Sequence, residues 1–137
     1  MKVLIDTNVI IDIINNRSQF VQDSLSALQL VLKEHNACIS TTTITDVVYI
    51  TKKAFSDSEV QKKALSAFFE KLTILSVTKA EIKKAFDSQM NDFEDAVQAF
   101  CAEKAGAKLI ITRNTKDYAL SPVNAITPSD FLKTRRE

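Results

Sequence analysis

Glycine is almost missing from this sequence: 137 residues contain one Gly, two Pro, two Cys, one His and no Trp. So little Gly and Pro excludes collagen-like and low-complexity chains. With 45% hydrophobic and 26% charged residues, the composition is that of an ordinary globular protein. Cys38 and Cys101 are too few for a disulfide framework and lack zinc spacing, so a reducing, cytoplasmic setting is expected. No charge of one sign dominates. A formal net charge of +1 argues against a globally basic nucleic-acid binder and leaves local patches open. No apolar run approaches the roughly 20 residues of a membrane span, and Met1 leads directly into an apolar run, so neither membrane association nor a leader peptide is expected. The length predicts one domain over residues 1–137.

What is present alternates. Short β-rich apolar runs at residues 3–5, 37–40, 72–77 and 109–112 predict strands, with a possible fifth at 124–126. Helical spacing predicts helices over 9–15, 20–34, 43–54, 58–71, 79–88 and 92–105. Ser58 and Gln61 match a capping box, and Gly106 stands at the stop position of the 92–105 helix. Thr127-Pro128 opens a last short helix, since Pro suits the first helical turn. Strand–helix alternation predicts an α/β fold, a parallel sheet of four to five strands flanked by helices on both faces.

Polar and acidic groups fall just beyond the strands or at helix starts. They are Asp6, with Thr7 and Asn8; Asp46, after the threonine run 41–43; Asp92 and Asp95, three residues apart; and Thr112-Arg113-Asn114 with Asp117. Each has a simpler explanation. Asp6 or Asn8, Thr43-x-x-Asp46 and Asp92-x-x-Asp95 resemble helix caps, and Asn114 and Asp117 suit a turn. The ends of parallel strands point the same way, however, and open α/β sheets build sites there, so these groups are expected to converge. Clustered carboxylates repel and call for protons or a cation. A donor set made of oxygens suits Mg²⁺ or Mn²⁺ rather than zinc, and the matching chemistry is phosphoryl transfer or phosphodiester hydrolysis.

Asp6-Thr7-Asn8, Asp46 in its helix, Asp92-Phe93-Glu94-Asp95-Ala96 and Thr112-Arg113-Asn114 together resemble the acidic motifs of the PIN domain, the nuclease fold of many bacterial toxins of the VapC type. The resemblance runs nearly the whole chain, through Thr127-Pro128-Ser129-Asp130-Phe131-Leu132. It implies metal-dependent cleavage of single-stranded RNA, with Mg²⁺ or Mn²⁺ as cofactor. Asp6, Asp46, Asp95 and Asn114 would form the site, with Asp6 and Asp95 as core metal ligands. Thr7, Asn8 and Thr112 would support them. It also implies a homodimer, and a cognate antitoxin as a partner. Two positions depart from the pattern: Asp46 stands where Glu is common, and Asn114 where Asp is common. Asp92 or Asp117 can offset the lost charge.

Arg113 is the best phosphate-contact candidate, because its fork pairs with phosphate oxygens. Lys52 and Lys53 follow the Asp46 helix and could flank an RNA groove, although paired lysines are more often solvated. His35, the only histidine, is read as complementing a helix C-terminus. Phe20, Phe55, Phe68, Phe69, Phe86 and Phe100 are read as core or dimer interface rather than base-stacking residues. The competing readings are a catalytically weak PIN-like domain that binds RNA or protein, and another acidic-pocket phosphoryl-transfer α/β protein. A receiver domain would want paired acids after the first strand and a Lys after the last. A haloacid-dehalogenase-like phosphatase would want Asp at position 8.

Overall fold

Five parallel strands form one sheet in the order β3-β2-β1-β4-β5, in a computed structural model that describes residues 1–134. The strands are β1 (Lys2–Ile5), β2 (Asn36–Ser40), β3 (Thr73–Leu75), β4 (Leu109–Ile111) and β5 (Ala125–Ile126). The helices are α1 (Thr7–Ile14), α2 (Val21–Glu34), α3 (Thr41–Ile50), α4 (Ser58–Phe69), α5 (Lys79–Asp87), α6 (Phe93–Ala105) and α7 (Pro128–Thr134). Two 3-10 turns, Lys52–Ala54 and Thr115–Tyr118, join them. The expected parallel α/β architecture is present, and the fifth strand exists.

Side-chain alternation along the strands divides the core in two. Val3 and Ile5 of β1, Ala37 and Ile39 of β2, and Ile111 of β4 point to one face, where residues of α1, α2, α3, α4 and α7 cover them. Leu4, Cys38 and Ile110 point to the other face, against α5 and α6. Both faces are buried, which explains why the strands read as unbroken apolar runs rather than alternating ones. Because the chain passes from β1 to β2 on one side and returns through α5 and α6 to β4 on the other, the order reverses beside β1. That reversal is where open sheets leave a crevice.

Local boundaries differ from expectation for identifiable reasons. Helix α3 starts two residues earlier than expected because Ser40 is the cap, accepting from the Thr43 N–H. Asp57, not Ser58, caps α4 by accepting from the Val60 N–H. Gln61 is thereby released from any capping box, and it is buried, donating to the Val48 carbonyl and Thr51 Oγ1. Gly106 stops α6 with φ +76, and space is not the reason: a Cβ there would meet nothing within 4 Å. The left-handed backbone itself selects glycine. Among the described residues, no helix is long and apolar enough to cross a membrane.

Candidate metal-binding crevice

Asp6 follows β1, and strand alternation sends its side chain to the side of Leu4, toward α6. The ladder runs one residue past the strand, since the Asp6 N–H donates to the Ile111 carbonyl at 2.9 Å. Thr112, past β4, shares the side of Ile110 for the same reason. The Asp6 carboxylate is buried and held by five donors. Oδ1 accepts from the Thr7 N–H at 2.7 Å and Gln98 Nε2 at 3.1 Å. Oδ2 accepts from Thr112 Oγ1 at 2.7 Å, Tyr118 Oη at 3.1 Å and Asn8 Nδ2 at 3.3 Å. The cap explanation holds for Asp6, and the N–H it caps is also one of the groups that aim its carboxylate into the crevice.

The crevice over Asp6 has a volume of about 410 Å³ and is lined by Asp6, Thr7, Asn8, Asp46, Asp92, Glu94, Asp95, Gln98 and Asn114, among others. No lysine or arginine lines it among the described residues. Asp92 caps α6, accepting from the Asp95 N–H at 2.9 Å, which leaves Asp95 in the first turn facing inward. Oxygens of Asp92, Asp95 and Asp117 lie within 4.8 Å of one another. The membership of this cluster differs from the set the motifs suggest. Asp92 and Asp117, expected only in support, sit with Asp95, and Asp6 lies one hydroxyl away. That hydroxyl is Tyr118 Oη, which contacts Asp6 Oδ2 and, at 3.3 Å, Asp95 Oδ1.

Electrostatics follow from the crowding. Burial, then the charges of Asp6, Asp92 and Asp117, push the Asp95 carboxyl up to about 7. Burial raises Asp46, and burial with Asp46, Asp92 and Asp6 raises Glu94. Tyr118 is pushed far above its usual range by burial and by Asp6 and Asp95, so it remains a phenol. A phenol has one hydrogen and here faces two carboxylates. A proton on Asp95 would resolve this by letting Asp95 donate to Oη while Oη donates to Asp6. The donor set, carboxylate and amide oxygens without thiol or imidazole, fits a hard divalent cation.

Asp46, Asn114, Thr7 and Asn8 line the crevice as expected, and Asn8 Nδ2 also reaches Thr112 Oγ1 at 3.2 Å. Glu94 adds an acid to the crevice within the field of Asp46. Two groups escape sequence reading. Tyr118 lies 112 residues from Asp6 and Gln98 lies 92 away. Their only sequence signal is spacing: Gln98 falls one turn beyond Asp95 on the same helix face.

Arg113 is placed differently from its sequence reading. Its guanidinium turns away from the acids onto Asp12 of α1, a fully buried carboxylate, through Nε and, at 3.3 Å, Nη2. It also stacks 4.1 Å from the centre of the Phe20 ring. Only its backbone N–H serves the site, donating to Asn8 Oδ1. Asp12→Ala is therefore expected to destabilise the fold by about 3–5 kcal/mol, because it strands a partly buried cation. Urea unfolding checks this, and an unchanged midpoint would show that the pair contributes nothing. Lys52 and Lys53 are exposed, outside the crevice, at the far end of α3 about 15 Å along its axis. Lys52 lies over the Tyr49 ring instead. His35 is the C-cap of α2, with its ring edge-on to Phe131 and away from the acids.

Comparison with known proteins bears on the family and the fold. A PIN domain family model matches residues 2–116. Ribonuclease VapC1 of Aquifex aeolicus (strain VF5) is 33% identical over 141 aligned residues, covering 96% of this chain and 94% of its own. Among solved structures, VapBC2 from Rickettsia felis bound to a promoter DNA fragment has a TM-score of 0.72 at 18% identity, covering 93% of this chain and 98% of its own. A toxin–antitoxin complex from Klebsiella pneumoniae has a TM-score of 0.71 at 24% identity, covering 92% and 97%.

Proposed function

Since this chain belongs to the PIN domain family, we propose that it is a Mg²⁺- or Mn²⁺-dependent endoribonuclease that cleaves single-stranded RNA, the toxin of a toxin–antitoxin pair. The observation that carries this reading is the crevice itself, where Asp6, Asp46, Asp92, Glu94 and Asp95 line one cavity and, among the described residues, no lysine or arginine does. Asp95, Asp92 and Asp117 would hold the ion, with the Asp6 carboxylate beside them. When bound, such an ion lowers the pKa of an attacking water and stabilises charge developing on the phosphate.

The chain's own groups do the rest. Thr7, Gln98 and Thr112 fix the plane of the Asp6 carboxylate. Tyr118 Oη bridges Asp6 and Asp95 and would hold the two carboxylates beside a bound ion. Asp46, Glu94 and Asn114, around the mouth, are suited to orient water or a second cation. A cognate antitoxin is the proposed protein partner, as in the Klebsiella pneumoniae toxin–antitoxin complex of like fold. A homodimer is proposed too, supported by Tyr49, Ile50 and Val60, large apolar side chains left exposed on α3 and α4.

A labelled single-stranded RNA incubated with the protein and Mg²⁺ should be cut internally, and a chelator should abolish cutting. Cleavage that survives the chelator, or an intact RNA in Mg²⁺ at micromolar protein, would overturn the reading.

A further inference from the structure

We propose that Phe86 and Phe93 form a base-stacking platform at the mouth of the acidic crevice, seating a nucleobase of the single-stranded RNA beside the phosphodiester that the carboxylates address. This rests on the nuclease reading above and extends it to how substrate is held.

The two rings lie on different helices and meet in the open, with centroids 4.5 Å apart at an interplanar angle of 43°. Phe86 is 73% exposed and Phe93 40%. Their own fold does not use them as core. On α5 the buried residues are Glu81 and Ala85, and Phe86 stands about 100° further round the helix. Helical spacing continues the pair into the crevice. Ile82 is four residues before Phe86 on α5, Val97 is four residues after Phe93 on α6, and Ile82, Phe93 and Val97 all line the crevice. An apolar strip thus runs from the interior of the crevice out to the exposed rings. The helices carrying it are clamped together, because buried Glu81 of α5 is ion-paired to Lys104 of α6 and caps α5 through the Thr78 N–H. The lysine holds the Glu81 carboxyl well below the usual range.

The crevice is amphipathic in the sense a nucleotide requires, with oxygens for the cation and phosphate on one side and an apolar strip ending in flat rings on the other. The strip also answers an energetic need. Among the described residues no basic side chain lines the crevice, so beyond the proposed ion the backbone of a polyanion finds no cationic contact inside it. Aromatic stacking supplies affinity that does not depend on charge, and every base has a face to offer.

The test uses single-stranded RNA carrying one 2-aminopurine, and a matched RNA with an abasic residue there, both in Mg²⁺. Phe86→Ala is expected to raise KM and the dissociation constant for the intact RNA about 5- to 100-fold, with kcat unchanged, as for binding shared by ground and transition states. Phe86→Trp is expected to restore binding and to show Trp quenching by RNA. The abasic RNA should bind wild type as weakly as intact RNA binds Phe86→Ala. Unchanged RNA affinity in Phe86→Ala, or an abasic RNA that binds wild type normally, overturns the proposal. So does a Phe86→Ala protein altered only in its sedimentation, which would make the rings a protein interface. RNA that binds through Phe86 without being cut would refute the nuclease reading and leave the platform standing. Metal-dependent cutting indifferent to Phe86 would do the reverse.

Discussion

Asp6→Asn is expected to lower RNA cleavage by about 10²- to 10⁴-fold with the fold intact, because the several kcal/mol supplied by a correctly held cation appear directly in the barrier. The substitution keeps the shape of the side chain and part of its hydrogen bonding. An asparagine can seat its carbonyl oxygen toward the two fixed donors, the Thr7 N–H and Gln98 Nε2. Its amide then faces Tyr118 Oη, which can turn to accept, and Thr112 Oγ1, whose two lone pairs already accept from Asn8 Nδ2 and the Asn114 N–H. The contacts from Thr112 Oγ1 and Asn8 Nδ2 are lost, so the variant removes the charge together with two hydrogen bonds. Tyr118→Phe removes the bridge and leaves both acids, so a smaller loss of about 10- to 100-fold is expected, in the range of groups that orient metal ligands. Single-turnover cleavage in Mg²⁺, beside thermal unfolding of each variant, separates the cases. Wild-type activity in Asp6→Asn would remove Asp6 from the mechanism, and equal losses in the two variants would make Tyr118 more than an orienting group.

The second large effect is a dependence of stability on pH that metal reverses. Asp95 has an ordinary value of 3.8 and is raised to about 7 in the folded protein. Below about 4, folded and unfolded chains both carry the proton and the group contributes nothing. Between about 4 and 7 the unfolded chain loses the proton while the folded one keeps it. The folded state then binds more protons, and stability falls as pH rises. Above 7 both are ionised and the penalty stays constant. Asp95→Asn should flatten this slope and, in chelator at pH 8, stabilise the fold by about 1–3 kcal/mol, a figure reduced for the partial exposure of the group. Mg²⁺ binds the folded form and should add about 2.7 kcal/mol to wild type at a hundredfold excess over its dissociation constant. Its affinity should weaken roughly tenfold per pH unit below 7, because the ion must displace a proton. Thermal unfolding at pH 5, 6, 7 and 8, with chelator and with Mg²⁺, reads all of this. A wild type that gains nothing from metal and an Asp95→Asn protein that is less stable in chelator would return the acids to the role of helix caps.

What the sequence by itself determined is what depends on neighbours along the chain. Short β-rich runs separated by helical spacing are enough for a parallel sheet, since a strand buried on both faces must be apolar throughout. Asp6, Asp95 and Asn114 were legible as site candidates because the ends of parallel strands share a direction. Gly106 was legible because a helix stop is a matter of local φ. Tertiary structure decided everything that a partner far along the chain controls. Nothing near Arg113 in sequence foretells that Asp12, 101 residues away, will draw its guanidinium off the site. A buried carboxylate outbids solvent for the nearest cation. That Asp92 caps is what the Asp92-x-x-Asp95 pattern suggested, and the first turn of α6 has it so. Tyr118 and Gln98 carry no motif. They matter because folding brings a phenol and an amide onto one buried carboxylate, and a buried charge is held only where donors from several elements converge on it.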